Sequence, residues 1–195
     1  MTKVTTDKSP GASPQVSADI EAAEIRLKAM AAKIDQRVAT LDPKTEIKVL
    51  GKTVLTGKEI KKLWSKISYV ITDKTYGAGY GGSFDYASST SHIMASTVNG
   101  WDLHPGGLAF ITLHELLHSS KEGERVRQKQ WTDYLADCKK RKVKDDKGEH
   151  YYGSPYFSEV EEFCYCGSRE IVAALGLPPF TGAFEHGFEY GDLSK

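Results

Sequence analysis

The apolar positions of this chain fall into runs of two periods. From Ala18 to about Thr40, the residues Ile20, Ile25, Leu27, Met30, Ile34 and Val38 recur at helical spacing. Ser17 is placed to cap that helix, and Asp42-Pro43 stops it. Glu46–Leu50 and Thr53–Leu55 alternate across Gly51-Lys52, the pattern of a hairpin. Thr56-Gly-Lys-Glu59 is a capping box, in which hydroxyl and carboxylate each satisfy a backbone N–H at a helix start. It predicts a short helix to about Lys66 carrying Ile60, Leu63 and Trp64. Ser68–Thr72 reads as a strand and Ser91–Ser96 as a second strand-like run. Leu108–His118 is mostly apolar and helical, preceded by the break Pro105-Gly106-Gly107. Glu124 to about Arg141 is amphipathic, with Val126, Trp131, Tyr134, Leu135 and Cys138. Tyr151–Phe157 reads as an aromatic loop, and Ser158 to about Leu175 as a last strong helix stopped by Gly176-Leu-Pro-Pro179. Residues 1–16, rich in Thr, Ser, Pro, Gly and Lys, read as a flexible tail, which leaves 17–195 as one domain.

A length of 195 residues suits a single core. The 26 basic and 26 acidic side chains cancel, so charge directs the chain neither to nucleic acid nor to an anionic membrane. The basic run at Lys139–Lys144 is followed by acids and reads as a solvated connection. No apolar run approaches membrane-spanning length, and the N-terminus lacks the apolar region of a signal peptide. The expectation is a cytoplasmic protein at synthesis, compatible with export by a signal-independent system. Three cysteines, Cys138, Cys164 and Cys166, do not make a disulfide framework. Cys164-x-Cys166 is too tight for a usual zinc knuckle, so these read as small, mostly buried helix residues. Gly77-Ala-Gly-Tyr-Gly-Gly82 satisfies G-x-G-x-x-G but is not followed by a helix, and a dinucleotide site needs one. It reads as a flexible loop or hairpin.

Chemistry concentrates at His114-Glu115-Leu116-Leu117-His118, an H-E-x-x-H pattern. Positions i and i+4 of a helix stand on one face, so two imidazoles there can bind one zinc ion. Glu115, beside the first histidine, can reach a water on that metal as general base. Ala109, Phe110, Leu113, Leu116 and Leu117 supply the apolar surface that buries such a helix.

A catalytic zinc takes a third protein ligand and keeps one position open. Glu124 lies six residues after His118, the place of the third ligand in proteins with the longer motif H-E-x-x-H-x-x-G-x-x-H, which this stretch resembles except that Lys121 stands in place of the glycine. His150 lies in a polar and aromatic loop. The helix from Ser158 is the better source. At about 100° per residue, Val160, Phe163, Cys164, Gly167, Ile171 and Ala174 form one buried stripe. Glu161 borders that stripe beside Cys164 and Ser168; Glu162 lies nearer the solvated side and Glu159 on the other edge. Glu161 is favoured, with Glu162, Glu159, Glu124 and His150 as alternatives.

His114-Glu-Leu-Leu-His118 followed by a later glutamate-bearing helix resembles the zincin metallopeptidases, and most of all their glutamate-ligand branch, the gluzincins. The resemblance spans roughly residues 68–176. It implies an α+β fold: one compact zincin-like domain with a small mixed or antiparallel sheet, an active-site helix and a glutamate helix. It implies His114, His118 and Glu161 (or Glu162) as ligands of a single catalytic Zn2+, with Glu115 as general base. The Asp or Asn that often follows the ligand glutamate by four residues is missing: Tyr165 follows Glu161 and Cys166 follows Glu162.

The implied activity is hydrolysis of a protein or peptide substrate, with Tyr151, Tyr152, Tyr156 and Tyr165 as candidates to stabilise the oxyanion. Small zincins of this kind occur as bacterial effector toxins and phage-associated peptidases, for which an immunity or inhibitor protein would be a partner not readable from sequence. The competing readings are a metal-dependent amidase acting on cell-wall peptides and a non-catalytic interaction protein stabilised by its metal.

Overall fold

A computed structural model describes residues 2–49, 51–75, 81–142 and 155–181, with side chains in the last segment from 161 onward. The strands are β1 (Lys3–Asp7), β2 (Glu46–Val49), β3 (Lys52–Thr56), β4 (Ser68–Thr72), β5 (Gly82–Asp85) and β6 (Thr90–Met94). The helices are α1 (Pro14–Thr40), α2 (Gly57–Trp64), α3 (Ala95–Asp102), α4 (Gly107–His118), α5 (Lys121–Arg141) and α6 (Pro155–Ala174). The fold is α+β. A four-stranded mixed sheet has the order β1-β4-β6-β5, with β1 and β6 parallel to β4 and β5 antiparallel to β6. β2 and β3 form a separate antiparallel hairpin with a bulge at Ile47/Lys48.

Helix α4 lies at the centre because its sequence is apolar everywhere except Thr112 and the motif residues His114, Glu115 and His118. Every residue from Gly107 to His118 is buried except Glu115, which is half-buried. A helix apolar nearly all round is stable only inside a core. The sheet holds it at one point by a directed bond: the buried Tyr69 hydroxyl of β4 donates to the Thr112 carbonyl at 2.7 Å, two residues before His114. Gly106, with φ of 74°, starts the helix in the left-handed region, where glycine carries no steric penalty. A Cβ at Gly106 would also stand 2.5 Å from the Pro178 carbonyl oxygen, so the turn after α6 closes directly over the start of α4.

Helix α6 lies along α4. The expected stripe is buried at Phe163, Cys164, Gly167 and Ile171, joined by Ser168, Val172 and Leu175. Ala174 is half-buried, and the Val160 side chain lies outside the described residues. Gly167 sets the approach: a Cβ there would fall 2.6 Å from Leu117 Cδ1. One continuous cluster of buried apolar residues runs from Val4 to Leu175.

The structure departs from the sequence expectations at several places. The flexible tail expected over 1–16 contains β1, which pairs along its whole length with β4, Val4 opposite Tyr69 and Thr6 opposite Ile71. Its Thr-rich composition is strand composition as much as loop composition. Helix α1 starts at Pro14 rather than Ala18. Its cap is Ser13, whose hydroxyl accepts from the Val16 N–H at 3.3 Å, not Ser17. Ile25, expected on the apolar side, is exposed, and Ala23 and Ala31 complete the buried face instead. The strand expected to reach Ser96 ends at Met94, and α3 follows without a side-chain cap. Helix α5 begins at Lys121, capped by Ser120. Residues 155–157, assigned to a loop, belong to α6. The glycine-rich stretch ends in β5, its residues 76–80 lying outside the described residues. The capping box of α2 is present as expected, Thr56 and Glu59 each bonding the other's backbone N–H.

Candidate metal centre

His114 and His118 share one face of α4, as their i, i+4 spacing requires. The Nε2 atoms of His114 and His118 stand 3.2 Å apart. Glu161 of α6 faces both: its Oε2 is 3.2 Å from His114 Nε2 and its Oε1 is 3.6 Å from His118 Nε2. Three donors about 2.0–2.1 Å from a tetrahedral zinc would stand about 3.3–3.4 Å from one another. The observed spacings, 3.2 Å between the two Nε2 atoms and 3.2 and 3.6 Å from them to the two different oxygens of Glu161, lie close to those values, so the residues present fit a zinc ion.

Burial and mutual charge couple the three groups. Burial opposes the charge on Glu161, yet the hydrogen bond and charge of His114, with that of His118, hold its carboxyl down to about 2. Burial lowers the pKa of His114, but the hydrogen bond and charge of Glu161 outweigh it and raise the value above that of free imidazole. His118 is lowered, because burial dominates there and the charge of Glu161 offsets it incompletely.

Glu115 follows His114 on α4 and reaches β6. Its Oε2 accepts a 2.8 Å hydrogen bond from the Ser91 hydroxyl of β6. Ser91 is fully buried on the same face of β6 as Ile93. This partner was missed in the sequence; the available signal was a polar residue at an inward position of an alternating strand.

The two histidines are supported differently. Behind His118, Nδ1 faces the Tyr86 hydroxyl at 3.5 Å and Cys164 Sγ at 3.6 Å. The Phe84 ring stacks on the imidazole at 6.0 Å and 28°. Tyr86 meets Phe84 edge-on, and the Arg127 guanidinium lies 4.4 Å over the Tyr86 ring. Burial pushes the Tyr86 phenol pKa up and so keeps it protonated. His114 instead lies against Tyr165 at 4.4 Å between ring centres, and Tyr165 stacks on Phe110 with the rings 3° from parallel. Phe110 continues into Trp101 and Phe180. The His114 Nδ1 atom is buried without a hydrogen-bond partner among the described residues.

Cys164 creates an ambiguity in the donor set. Ligand atoms of His114, His118 and Cys164 also lie within 4.8 Å of one another. The sulfur, however, addresses His118 through Nδ1, whereas both Nε2 atoms point to the Glu161 carboxylate. The two Nε2 atoms and the Glu161 carboxylate are therefore the donors that face one another most directly.

Of the sequence candidates, the structure brings His114, Glu115, His118 and Glu161 together. Glu162 acts on the Cys166 thiol. Glu124 is engaged by Arg127 through two 2.7 Å bonds and by Gln128. His150, Tyr151, Tyr152 and the side chains of Glu159 and Tyr156 lie outside the described residues. Tyr165 reaches the site, but as a ring against His114. Tyr86 and Cys164 were not among the expected site residues. Comparison with known proteins finds no matching family model, no similar curated protein and no similar solved structure. The H-E-x-x-H motif on α4, with Glu161 and Cys164 beside it, suggests a zincin-like metal site.

Proposed function

We propose that this protein is a zinc-dependent metallopeptidase with a glutamate third ligand. The observation that carries the reading is the convergence of His114 Nε2, His118 Nε2 and the Glu161 carboxylate at 3.2–3.6 Å, with Glu115 held beside them. Two histidines and a carboxylate are a catalytic donor set, because three protein ligands leave a position for water or substrate. A zinc ion bound there would polarise a carbonyl and acidify its water.

The chain's own residues do the rest. Glu115 is the one half-buried residue on an otherwise buried helix, and it directly follows the first histidine of the motif. It takes the proton of the attacking water and returns it to the leaving amine, the work of a general base and then acid. The Ser91 hydrogen bond holds one carboxylate oxygen and leaves the other to handle that proton. Glu161, pinned to both histidines and far down in pKa, remains an ionised ligand throughout. A purely structural metal site has no use for Glu115, which favours the catalytic reading over a metal-stabilised interaction protein.

The test has two parts. Purified, unchelated protein is expected to hold one equivalent of zinc by elemental analysis. Glu115→Gln is expected to keep the zinc and lose about 10²–10⁴-fold in peptide hydrolysis. Zinc-free wild-type protein, or full hydrolysis by Glu115→Gln, would overturn the reading. Parallel digestion of an unfolded protein and of peptidoglycan separates a peptidase from a cell-wall amidase of the same site type.

A further inference from the structure

Helix α6 touches both nitrogens of one imidazole. Glu161 faces His118 Nε2 at 3.6 Å, and one turn later Cys164 faces Nδ1 of the same ring at 3.6 Å. Residues three apart on a helix share a face, so one rigid element grips the ring front and back. The Tyr86 hydroxyl, at 3.5 Å, approaches the same Nδ1 from the turn after β5. For nitrogen and sulfur 3.6 Å is an ordinary hydrogen-bond separation, while 3.5 Å between nitrogen and oxygen is long. Cys164 is therefore the principal neighbour of Nδ1 and Tyr86 the secondary one. Cys164 is fully buried, so its sulfur meets the ring out of reach of bulk water.

We infer that Cys164, assisted by Tyr86, is a positioning residue: its sulfur accepts the His118 Nδ1–H, fixes that tautomer, and so turns the Nε2 lone pair toward His114 and Glu161. This deepens the metallopeptidase reading and rests on it. A metal-binding histidine ordinarily gives its second N–H to an acceptor that fixes ring orientation. Carboxylate and carbonyl oxygens commonly serve; here the acceptor is a thiol, and it sits on the helix that supplies the third ligand. Among the described residues, His114 Nδ1 has no such acceptor, so the support seen there is the one at His118.

Zinc affinity, measured by competition with a chromophoric chelator, tests this without reference to activity. Cys164→Ala is expected to weaken binding by about 10–100-fold. Cys164→Ser, which restores an acceptor, is expected to recover most of the loss, and Tyr86→Phe to cost only a few-fold. Cobalt-substituted wild type is expected to lack thiolate-to-cobalt charge-transfer absorption. Nitrogen-15 spectra of histidine-labelled wild type are expected to show His118 protonated at Nδ1, with or without zinc.

Unchanged affinity in Cys164→Ala overturns the inference. So does a charge-transfer band, which would make the sulfur a ligand, or a His118 protonated at Nε2 in the metal-free protein. The spectra on wild type decide the matter if Cys164→Ala does not fold. Absence of zinc binding in wild type would instead overturn the functional reading, and the tautomer in the metal-free protein would still decide the role of Cys164.

Discussion

Ser91 shows how a single side chain fixes the proposed general base. Its hydroxyl bonds one oxygen of Glu115 while its backbone is fixed in the sheet, so the carboxylate inherits the rigidity of β6. Ser91→Ala is expected to retain zinc and lower kcat about tenfold, with KM little changed, since misplacement of a base acts on the proton transfer. A drop in bound zinc instead would assign Ser91 a role in building the centre. At this scale the sequence was informative about residues joined by helical spacing. His114, Glu115 and His118 are local in sequence, and Glu161 could be chosen from its place beside an apolar stripe. Ser91, Tyr86 and Cys164 were hidden because their roles depend on distant segments meeting. Cys164 in particular obeys the burial pattern of a core cysteine, and nothing in that pattern distinguishes a thiol that packs from a thiol that accepts a hydrogen bond.

Between elements, the contact of α4 with α6 sets the distance between the histidines and Glu161. Gly167 is the position at which this can be changed, since any side chain meets Leu117. Gly167→Val is expected to destabilise the fold by about 1–3 kcal/mol through overpacking, measured by denaturant unfolding. It should also weaken zinc binding by separating Glu161 from the motif. A fold as stable as wild type with unaltered zinc affinity would mean that the two helices adjust freely. Periodicity gave α1, α2, α4, α5 and α6 to within a few residues, together with β4 and the β2–β3 hairpin. It missed α3, which is short and has no side-chain cap. It missed β1 because a strand at a sheet edge needs only one buried position to dock, and Val4 is that position.

For the whole molecule, the proposed zinc site would couple metal to fold, since its ligands would come from two helices that meet in the core. Removal of zinc by a chelator is expected to lower the Tm, and readdition to restore it in proportion to free zinc. Proton competition gives the pH dependence. His114 must be neutral to bind metal, and its pKa is raised by Glu161, so protons begin to displace zinc above the pH at which a free imidazole would protonate. Apparent affinity should therefore fall as pH is lowered from about 8 to about 5, the range in which histidine titrates. Glu161, held near 2, contributes no competition there. Glu161→Gln should weaken zinc binding and move the onset of proton competition to lower pH. Titrations of both proteins with a zinc indicator check this, and identical onsets would argue against the Glu161–His114 pairing.

The parallel pairing of β1 with β4 bears on how this protein should be handled at the bench. A reader of the sequence alone would trim the Thr-, Ser- and Pro-rich first residues as dispensable. Deleting residues 2–8 would instead uncover the backbone edge of β4, whose Tyr69 and Ile71 are fully buried, and leave it free to pair with another molecule. The shortened protein is expected to run as aggregate in size-exclusion chromatography, whereas a solubilising tag placed ahead of Thr2 leaves the strand in place.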